Sequence, residues 1–253
     1  MENFALSVAS TRVEKGSLGL FFLGQAGFLF KTSNGKLLAV DPYLSDCCNR
    51  YFGFKRLMPR LLSADELILD CLVATHAHYD HFDPDSVPLL MANGHTEFIG
   101  AHDTAEECER LHLTERLTFV GVGDTVSRHG FTVTALPCDH GEGTPYAIGL
   151  LIEAEGRRIA ILGDTCYRDD NFANKALQNL DVLILPINGA FGNLNEKEAA
   201  MAASVICPRL TIPCHYWNFA EHGGNPALFM EAMKETAPAL PFLLMRQGEA
   251  TKI

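Results

Sequence analysis

Between residues 76 and 81 the chain reads His-Ala-His-Tyr-Asp-His, three imidazoles and a carboxylate within six positions. Imidazole nitrogen suits zinc, iron and manganese, and a carboxylate widens the choice towards harder divalent ions. The run follows the apolar stretch Cys71-Leu72-Val73-Ala74-Thr75, so it leaves the end of a buried strand, where rigid support and solvent access coincide. Alternate residues of such a loop point the same way. His76 and His78 can therefore hold one ion while Asp80 and His81 turn towards a second. The plainer reading is a polar turn whose histidines only cap and solvate. Three downstream residues weigh against it: His140 in Pro137-Cys138-Asp139-His140-Gly141, Asp164 in Leu162-Gly163-Asp164-Thr165 and His215 in Ile212-Pro213-Cys214-His215. Each alone is more often structural. All three follow strand-like runs, as the first cluster does, and so converge on one site.

The elements that must position them are legible as punctuation. Strand-like runs rich in apolar and β-branched residues fall at 18–23, 27–31, 36–41, 71–75, 96–100 and 117–120, and again at 131–136, 146–153, 157–162, 181–186, 210–213 and 241–245. Asp83-Pro84 reads as an N-cap and first helical proline opening a helix over 84–92. Asp103 with Glu106 and Asn195 with Glu198 give cap-plus-third-residue patterns for helices at 104–112 and 196–207, and a last helix is expected over 226–236. Two sheets packed face to face with helices outside satisfy this order.

Composition removes several function classes. The 253 residues are 47% hydrophobic and 20% charged, with a formal net charge of −11. A nucleic-acid binder takes its affinity from neutralising phosphates, and this chain supplies no basic run for that. Leu18 to Phe30 is too short to span a bilayer and is broken by Gly24, Gln25 and Gly27. The Met-Glu-Asn-Phe start shows no basic n-region of a signal peptide. Eight scattered cysteines with no C-x-x-C pair read as reduced thiols. The expectation is a cytoplasmic protein with a small-molecule substrate, no nucleic-acid partner and no membrane span, compatible with a homo-oligomer.

Taken together these residues resemble the metallo-β-lactamase superfamily. The resemblance implies an α/β (α+β) fold, a four-layer αβ/βα sandwich, formed here as a single domain over 1–253 with pseudo-symmetric halves of roughly 1–125 and 126–253. It implies two divalent cations, Zn2+ or Mn2+ with Fe as a third choice. His76, His78 and His140 match the ligands of the first, Asp80, His81 and His215 those of the second, and Asp164 the bridging carboxylate. Asp41, in Ala39-Val40-Asp41-Pro42, matches an early aspartate that supports the ligands without binding metal. The implied chemistry is attack by a metal-bridged hydroxide on a carbonyl or phosphoryl centre, with Asp80 orienting the nucleophile and passing a proton to the leaving group.

Spacing prunes the branches of that superfamily. Only 50 residues separate Asp164 from His215, too few for the insertion of the nucleic-acid-processing branch. Only 38 follow His215, too few for the C-terminal domain of glyoxalase II. True β-lactamases lack the bridging aspartate, and flavodiiron proteins carry Glu where His78 stands. Phe22-Leu23-Gly24-Gln25-Ala26-Gly27-Phe28, Ala74–Asp83, Gly163-Asp164-Thr165-Cys166-Tyr167 and Ile212-Pro213-Cys214-His215-Tyr216 are similar to the L-ascorbate-6-phosphate lactonase group, although this chain is shorter and has His140 where that pattern lacks a histidine. The expected substrate is a small ester or lactone, with a phosphorylated sugar lactone as the specific case. A phosphodiesterase and a non-catalytic metal-binding protein are the rivals. Arg168, Tyr216, Trp217 and His222 are candidate substrate-binding residues. Gly189 to Asn195 reads as a loop near the site mouth, and Asp83 as either a group supporting the site or the helix cap.

Overall fold

The computed structural model describes residues 4–253. Two sheets form its frame. The first contains β1 (Gly19–Gly24), β2 (Gly27–Lys31), β3 (Leu37–Val40), β4 (Cys71–Ala74), β5 (Glu97–Ala101) and β6 (Leu117–Val120), in that spatial order. The second runs from β7 (Thr125–Arg128) through β8 (Phe131–Pro137), β9 (Ile148–Ala154), β10 (Arg157–Ile161) and β11 (Val182–Pro186) to β12 (Thr211–Cys214). A short β13 (Ala250–Lys252) returns to pair antiparallel with β1, Leu20 facing Thr251. Each sheet begins antiparallel and ends parallel: β1–β2–β3 then β4–β5–β6, and β7–β8–β9–β10 then β11–β12.

Side-chain alternation fixes what each face meets. In β1 and β2, Leu20, Phe22, Phe28 and Phe30 enter the core shared with Val133, Leu150, Ile152 and Ile161 of the second sheet. Phe21, Leu23 and Leu29 point the other way, onto Phe4, Val8, Val87 and Leu90 of the flanking helices. Both faces are covered, which is why these strands read as continuous apolar runs rather than alternating ones. The helices are α1 (Phe4–Ser10), α2 (Cys47–Phe52), α3 (Val87–Met91), α4 (Thr104–Arg110), α5 (Asp169–Phe172), α6 (Glu196–Ile206) and α7 (Pro226–Thr236). Ala199, Ala203 and Phe229 seal the second sheet from outside. The result is the layered helix–sheet–sheet–helix arrangement expected of the sequence.

Several local expectations need correction. The helix expected over 84–92 begins at Val87, after a turn at 84–86 that Asp83 does cap, its Oδ1 accepting from Asp85 N at 3.1 Å and Ser86 N at 3.3 Å. The same fully buried carboxylate also accepts from Leu44 N, Ser45 N and Ser45 Oγ at 2.9, 2.8 and 2.7 Å, and from Ser86 Oγ at 2.6 Å. It ties the loop after β3 to the loop after β4. Asp103 makes no cap bond; its Oδ2 accepts from Ala77 N at 3.2 Å, inside the histidine run. Asn195 and Glu198 do form the expected reciprocal capping box at α6. The run 241–245 makes a single bridge, Phe242 to Thr211, and packs without a strand ladder, starting as it does from a proline that cannot donate. Strand β7 escaped sequence reading because its Thr-Val-Ser-Arg is polar; it is an edge held by Thr125–Thr134 and Ser127–Thr132 hydroxyl pairs, each 2.9 Å. Helices α1, α2 and α5 are too short to show a period.

The Asp83 hub has a measurable consequence. Asp83→Asn keeps one acceptor oxygen but turns an amide donor towards N–H and O–H donors. It is expected to cost about 2 kcal/mol, the order of a buried polar group left unmatched. In a chain of this size that lowers the midpoint of thermal unfolding by roughly 4–8 °C, with metal content per folded chain unchanged. An unchanged midpoint would show that the hub is not needed.

Candidate metal centre

Every residue in the candidate site follows the C-terminal end of a strand: Asp41 after β3, the His76–His81 run after β4, His140 after β8, Asp164 after β10 and His215 after β12. Several sit where the backbone is left-handed. Asp41 has φ 45°, His215 φ 63° and Gln25, at the β1–β2 turn, φ 53°. Such conformations are costly for non-glycine residues and collect where the surroundings over-determine a functional geometry. Gly163 is constrained differently: at φ 67° a Cβ would lie 2.8 Å from Ile148 O, so only glycine lets the chain turn Asp164 inward here.

The side chains converge. His76 Nε2 lies 3.0 Å from His78 Nδ1, and His140 Nε2 3.1 Å from the same atom. Donor atoms of His76, His78 and His140 all fall within 4.8 Å of one another, and so do those of His76, His81 and Asp164. Asp80 and His215 form a third such group, whose other member is His222. Asp164 stands between groups: its Oδ1 is 3.3 Å from His81 Nε2, and its Oδ2 is 3.2 Å from His215 Nε2 and 3.8 Å from His140 Nε2. The structure thus brings together all seven residues proposed as ligands; His81 Nε2 lies 3.3 Å from Asp164 Oδ1 and 3.5 Å from Asp80 Oδ2, between the two groups.

Supports surround them. Asp41, fully buried, accepts from Thr75 N at 2.8 Å and Thr75 Oγ1 at 2.6 Å, and its Oδ2 receives His81 Nδ1 at 2.8 Å. That bond orients the ring and leaves Nε2 facing Asp164 and Asp80. Asn193 Nδ2 donates to Asp164 Oδ2 at 2.7 Å. Gln25 Nε2 donates to Asp80 Oδ2 at 2.9 Å. Neither Gln25 nor Asn193 was assigned a role from sequence. Gln25 lay within the quoted Gly24-Gln25-Ala26-Gly27 stretch, and Asn193 in the loop already placed near the site mouth, but an amide carries no signature of its own.

The electrostatics are those of charges packed beyond what water would allow. Burial opposes ionisation of Asp164 and Asp80, yet His215 and His81 hold both carboxyls well below the usual range. Burial also opposes the charged form of His81, but Asp164, Asp80 and Asp41 hold its pKa well above normal. His215 is lifted in the same way, mainly by Asp164, to about 9. His222 is pushed down to about 4 by burial and by its cationic neighbour His215. His81 Nε2 and Asp164 Oδ1 are both buried and approach each other without the alignment of a hydrogen bond. Donor atoms aimed at shared points and left unsatisfied by one another fit a cation far better than a hydrogen-bond network.

Above the cluster opens a cleft of about 230 Å³, floored by His78, Asp80, His140, His215 and His222. Its walls are aromatic: Phe52, Phe54, Tyr79 and Phe191. Phe54 and Phe191 each pack a ring about 5 to 6 Å from His222 or from one another, at 5.3, 5.2 and 6.1 Å. Phe52 and Phe191 remain 55% and 59% exposed, so the apolar rim is open to a ligand. Among the described residues no lysine or arginine lines this cleft. The arginines near its rim are committed elsewhere: Arg110 to Glu107, and Arg50 to Asp85 at 2.7 Å.

Of the four substrate-binding candidates only His222 lies here. Arg168 points away; its Nε is 2.6 Å from Asp139 Oδ2, in a separate open groove beside Tyr167 and Asp170. Tyr216 is buried, with its hydroxyl donating to Met245 O. Trp217, 53% exposed, lines a different cavity of about 490 Å³ together with Tyr216, Met58 and Gln247. Chain adjacency to His215 misled in these two cases because the left-handed turn at His215 and Trp217 (φ 60°) sends successive side chains to opposite sides.

Comparison with known proteins agrees with this geometry. A family model described as a beta-lactamase superfamily domain matches residues 19–215. The chain is 26% identical over 262 aligned residues to a UPF0173 metal-dependent hydrolase of Polynucleobacter asymbioticus, covering 94% of this chain and 87% of that protein. It is 28% identical to a metal-dependent hydrolase of Methanopyrus kandleri, covering 90% and 97%. Among solved structures, a metallo hydrolase from the archaeon Ignicoccus hospitalis superposes with a TM-score of 0.72 at 21% identity, covering 94% and 98% of the two chains. At that identity the likeness speaks for the fold.

Proposed function

The chain belongs to the beta-lactamase superfamily and is a metal-dependent hydrolase of it, and we propose that its substrate is a small, uncharged ester or lactone with an apolar or aromatic flank. The observation that carries this reading is the cleft: a floor of histidines and carboxylates under aromatic walls that hold no cationic side chain. A phosphorylated sugar lactone, the specific expectation from sequence, needs a basic residue or a ring of donors for its phosphate. Arg168, the one candidate for that task, is turned away and paired with Asp139. Aromatic walls instead favour planar apolar groups, through area burial and ring stacking.

In this reading His76, His78 and His140 would hold one cation and Asp80, His81 and His215 a second, with Asp164 shared between them. When bound, such cations acidify a water and polarise the oxygen of the scissile bond. The chain's own part is positioning and proton handling. Phe54, Phe191 and Tyr79 clasp the apolar flank and exclude water from the floor. Asp80 Oδ2 is held 3.3 Å from His215 Nε2, which leaves its Oδ1 to take a proton from the attacking water and pass it to the leaving oxygen. Asn193 and Asp41 hold Asp164 and His81 in register throughout.

The test is a substrate panel on one metal-loaded preparation: an aryl ester, an aromatic lactone, a phosphorylated sugar lactone and bis(p-nitrophenyl) phosphate. The expected kcat/KM for the aromatic lactone or aryl ester exceeds that for the phosphorylated lactone by at least about 10-fold, the order that burying one or two additional apolar groups supplies. Turnover confined to the diester would replace this reading with a phosphodiesterase. Full metal content with no turnover on any of the four would replace it with a metal-binding protein that does no chemistry.

A further inference from the structure

Gln25 occupies an unusual place. It is 1% exposed, at the turn between β1 and β2, and its carbonyl accepts His215 N at 2.7 Å, which locks the turn against the end of β12. Its side chain runs inward, and Nε2 ends 2.9 Å from Asp80 Oδ2, 3.0 Å from His222 Nδ1 and 3.1 Å from His215 Nε2. These three residues are one of the groups whose donor atoms all lie within 4.8 Å of one another. A single amide nitrogen therefore sits where three strong donor side chains meet. Meanwhile Gln25 Oε1 is buried and makes no hydrogen bond. That is a poor arrangement for a structural glutamine, which would satisfy both ends of its amide, and burying an unpartnered acceptor is costly.

His222 is equally hard to explain as packing. It is 6% exposed, stacks on His215 at 8° and 5.0 Å, and presents Nδ1 to the same point, 3.9 Å from Asp80 Oδ2. Gly223 and Gly224, at φ 73° and 83°, follow it; a Cβ on Gly224 would lie 2.8 Å from Tyr216 Cβ and 2.9 Å from His215 O. The loop is thus built to bring His222 close against the His215 turn.

We propose that Gln25 and His222 join Asp80 and His215 at the second cation position, His222 adding an imidazole nitrogen and Gln25 a carboxamide oxygen. A half-turn of the terminal amide exchanges Nε2 for Oε1 and turns the buried, unpaired oxygen to the point where the three donor side chains meet. Imidazole nitrogens with carboxylate and carboxamide oxygens suit a borderline or moderately hard divalent ion, such as Zn2+, Fe2+ or Mn2+.

The inference rests on the two-cation hydrolase reading, and the test separates the two. Metal-free full-length chain is titrated calorimetrically with Zn2+ or Mn2+ alone, and bound metal is counted by mass spectrometry after dialysis. The variants are Gln25→Leu, Gln25→Glu and His222→Gln, each checked for parental thermal unfolding. The parent is expected to take up two equivalents. Gln25→Leu and His222→Gln should keep the first and bind the second roughly 10–100-fold more weakly, the order seen for residues supporting a metal site. Gln25→Glu, which keeps the oxygen and adds a charge, should retain the second equivalent. Two equivalents bound with parental affinity in both Gln25→Leu and His222→Gln would overturn the inference alone. A tighter second equivalent in Gln25→Leu would also overturn it, since Gln25 would then be a plug and not a ligand. A parent chain that binds only one equivalent would overturn the two-cation reading and the inference together.

Discussion

Asp80→Asn is expected to lower kcat by roughly 10²–10⁴-fold, the range lost when a positioned proton carrier is removed, while bound metal falls far less. Asparagine has the shape of aspartate and keeps one oxygen, so the contacts that place the side chain, 2.9 Å to Gln25 Nε2 and 3.3 Å to His215 Nε2, can survive the change. What it cannot keep is basicity. His81 and His215 hold the carboxyl of Asp80 well below the usual range despite its burial, so at neutral pH it is an anion facing the floor of the cleft. An amide there neither accepts a proton from water nor returns one to a leaving oxygen. KM for an aromatic ester should change little, because Phe54, Phe191 and Tyr79 bind the flank. Steady-state kinetics beside metal analysis decide the matter. Near-parental turnover would remove Asp80 from the chemistry. Loss of metal in proportion to loss of rate would make it a ligand and nothing more.

How much of this was open to sequence reading follows from the range of the interactions concerned. The His76–His81 run is local, so six consecutive residues carried the metal chemistry, and strand-end position was enough to bring in His140, Asp164 and His215. Strands covered on both faces were plain as apolar runs, β2 and β6 to the residue. Contacts between distant segments were not. Gln25 reaches His222 across 197 positions, and no pattern along the chain announces that pairing. Asp83 was legible only as a cap, through its local bonds to Asp85 N and Ser86 N, because its other partners, Leu44 and Ser45, are about 40 residues away. The aromatic wall comes from α2, the loop after it, the histidine run and the Gly189–Asn195 loop, four places that only the fold unites. Trp217 shows the opposite limit: nearness along the chain to His215 is not nearness in space, because the left-handed residues at His215 and Trp217 turn the chain between them.

Asp41 ties these levels together and predicts the largest stability effect. It stands at φ 45° after β3, fully buried, and receives three donors: Thr75 N, Thr75 Oγ1 and His81 Nδ1, at 2.8, 2.6 and 2.8 Å. Asp41→Ala strands Thr75 N and His81 Nδ1, leaves Thr75 Oγ1 with His76 Nδ1 at 3.1 Å, and takes one counter-charge from a buried imidazole. Relief of repulsion works the other way, since Asp80 and Asp164 lie on the far side of His81 at 3.5 and 3.3 Å. Repulsion is the smaller term, because those two carboxylates still have His81 and His215 to balance them, whereas the Thr75 N–H and the His81 Nδ1–H lose the carboxylate they donate to. The expected cost is about 3–5 kcal/mol, that of breaking a buried, hydrogen-bonded ion pair from one side, or a midpoint roughly 6–20 °C lower. Asp41→Asn separates structure from chemistry. Its amide keeps the shape and one acceptor. If its NH2 faces His81, the ring must accept at Nδ1 and carry its proton on Nε2, the nitrogen that faces Asp164. That tautomer cannot ligate. The Asn variant should therefore unfold much nearer the parental midpoint yet bind metal roughly 10–100-fold more weakly. Calorimetric unfolding and metal titration of the two variants together check both halves. Parental metal affinity in Asp41→Asn would show that His81 needs no carboxylate to set its tautomer, and a parental midpoint in Asp41→Ala would show that the strained turn after β3 is not what anchors the histidine run.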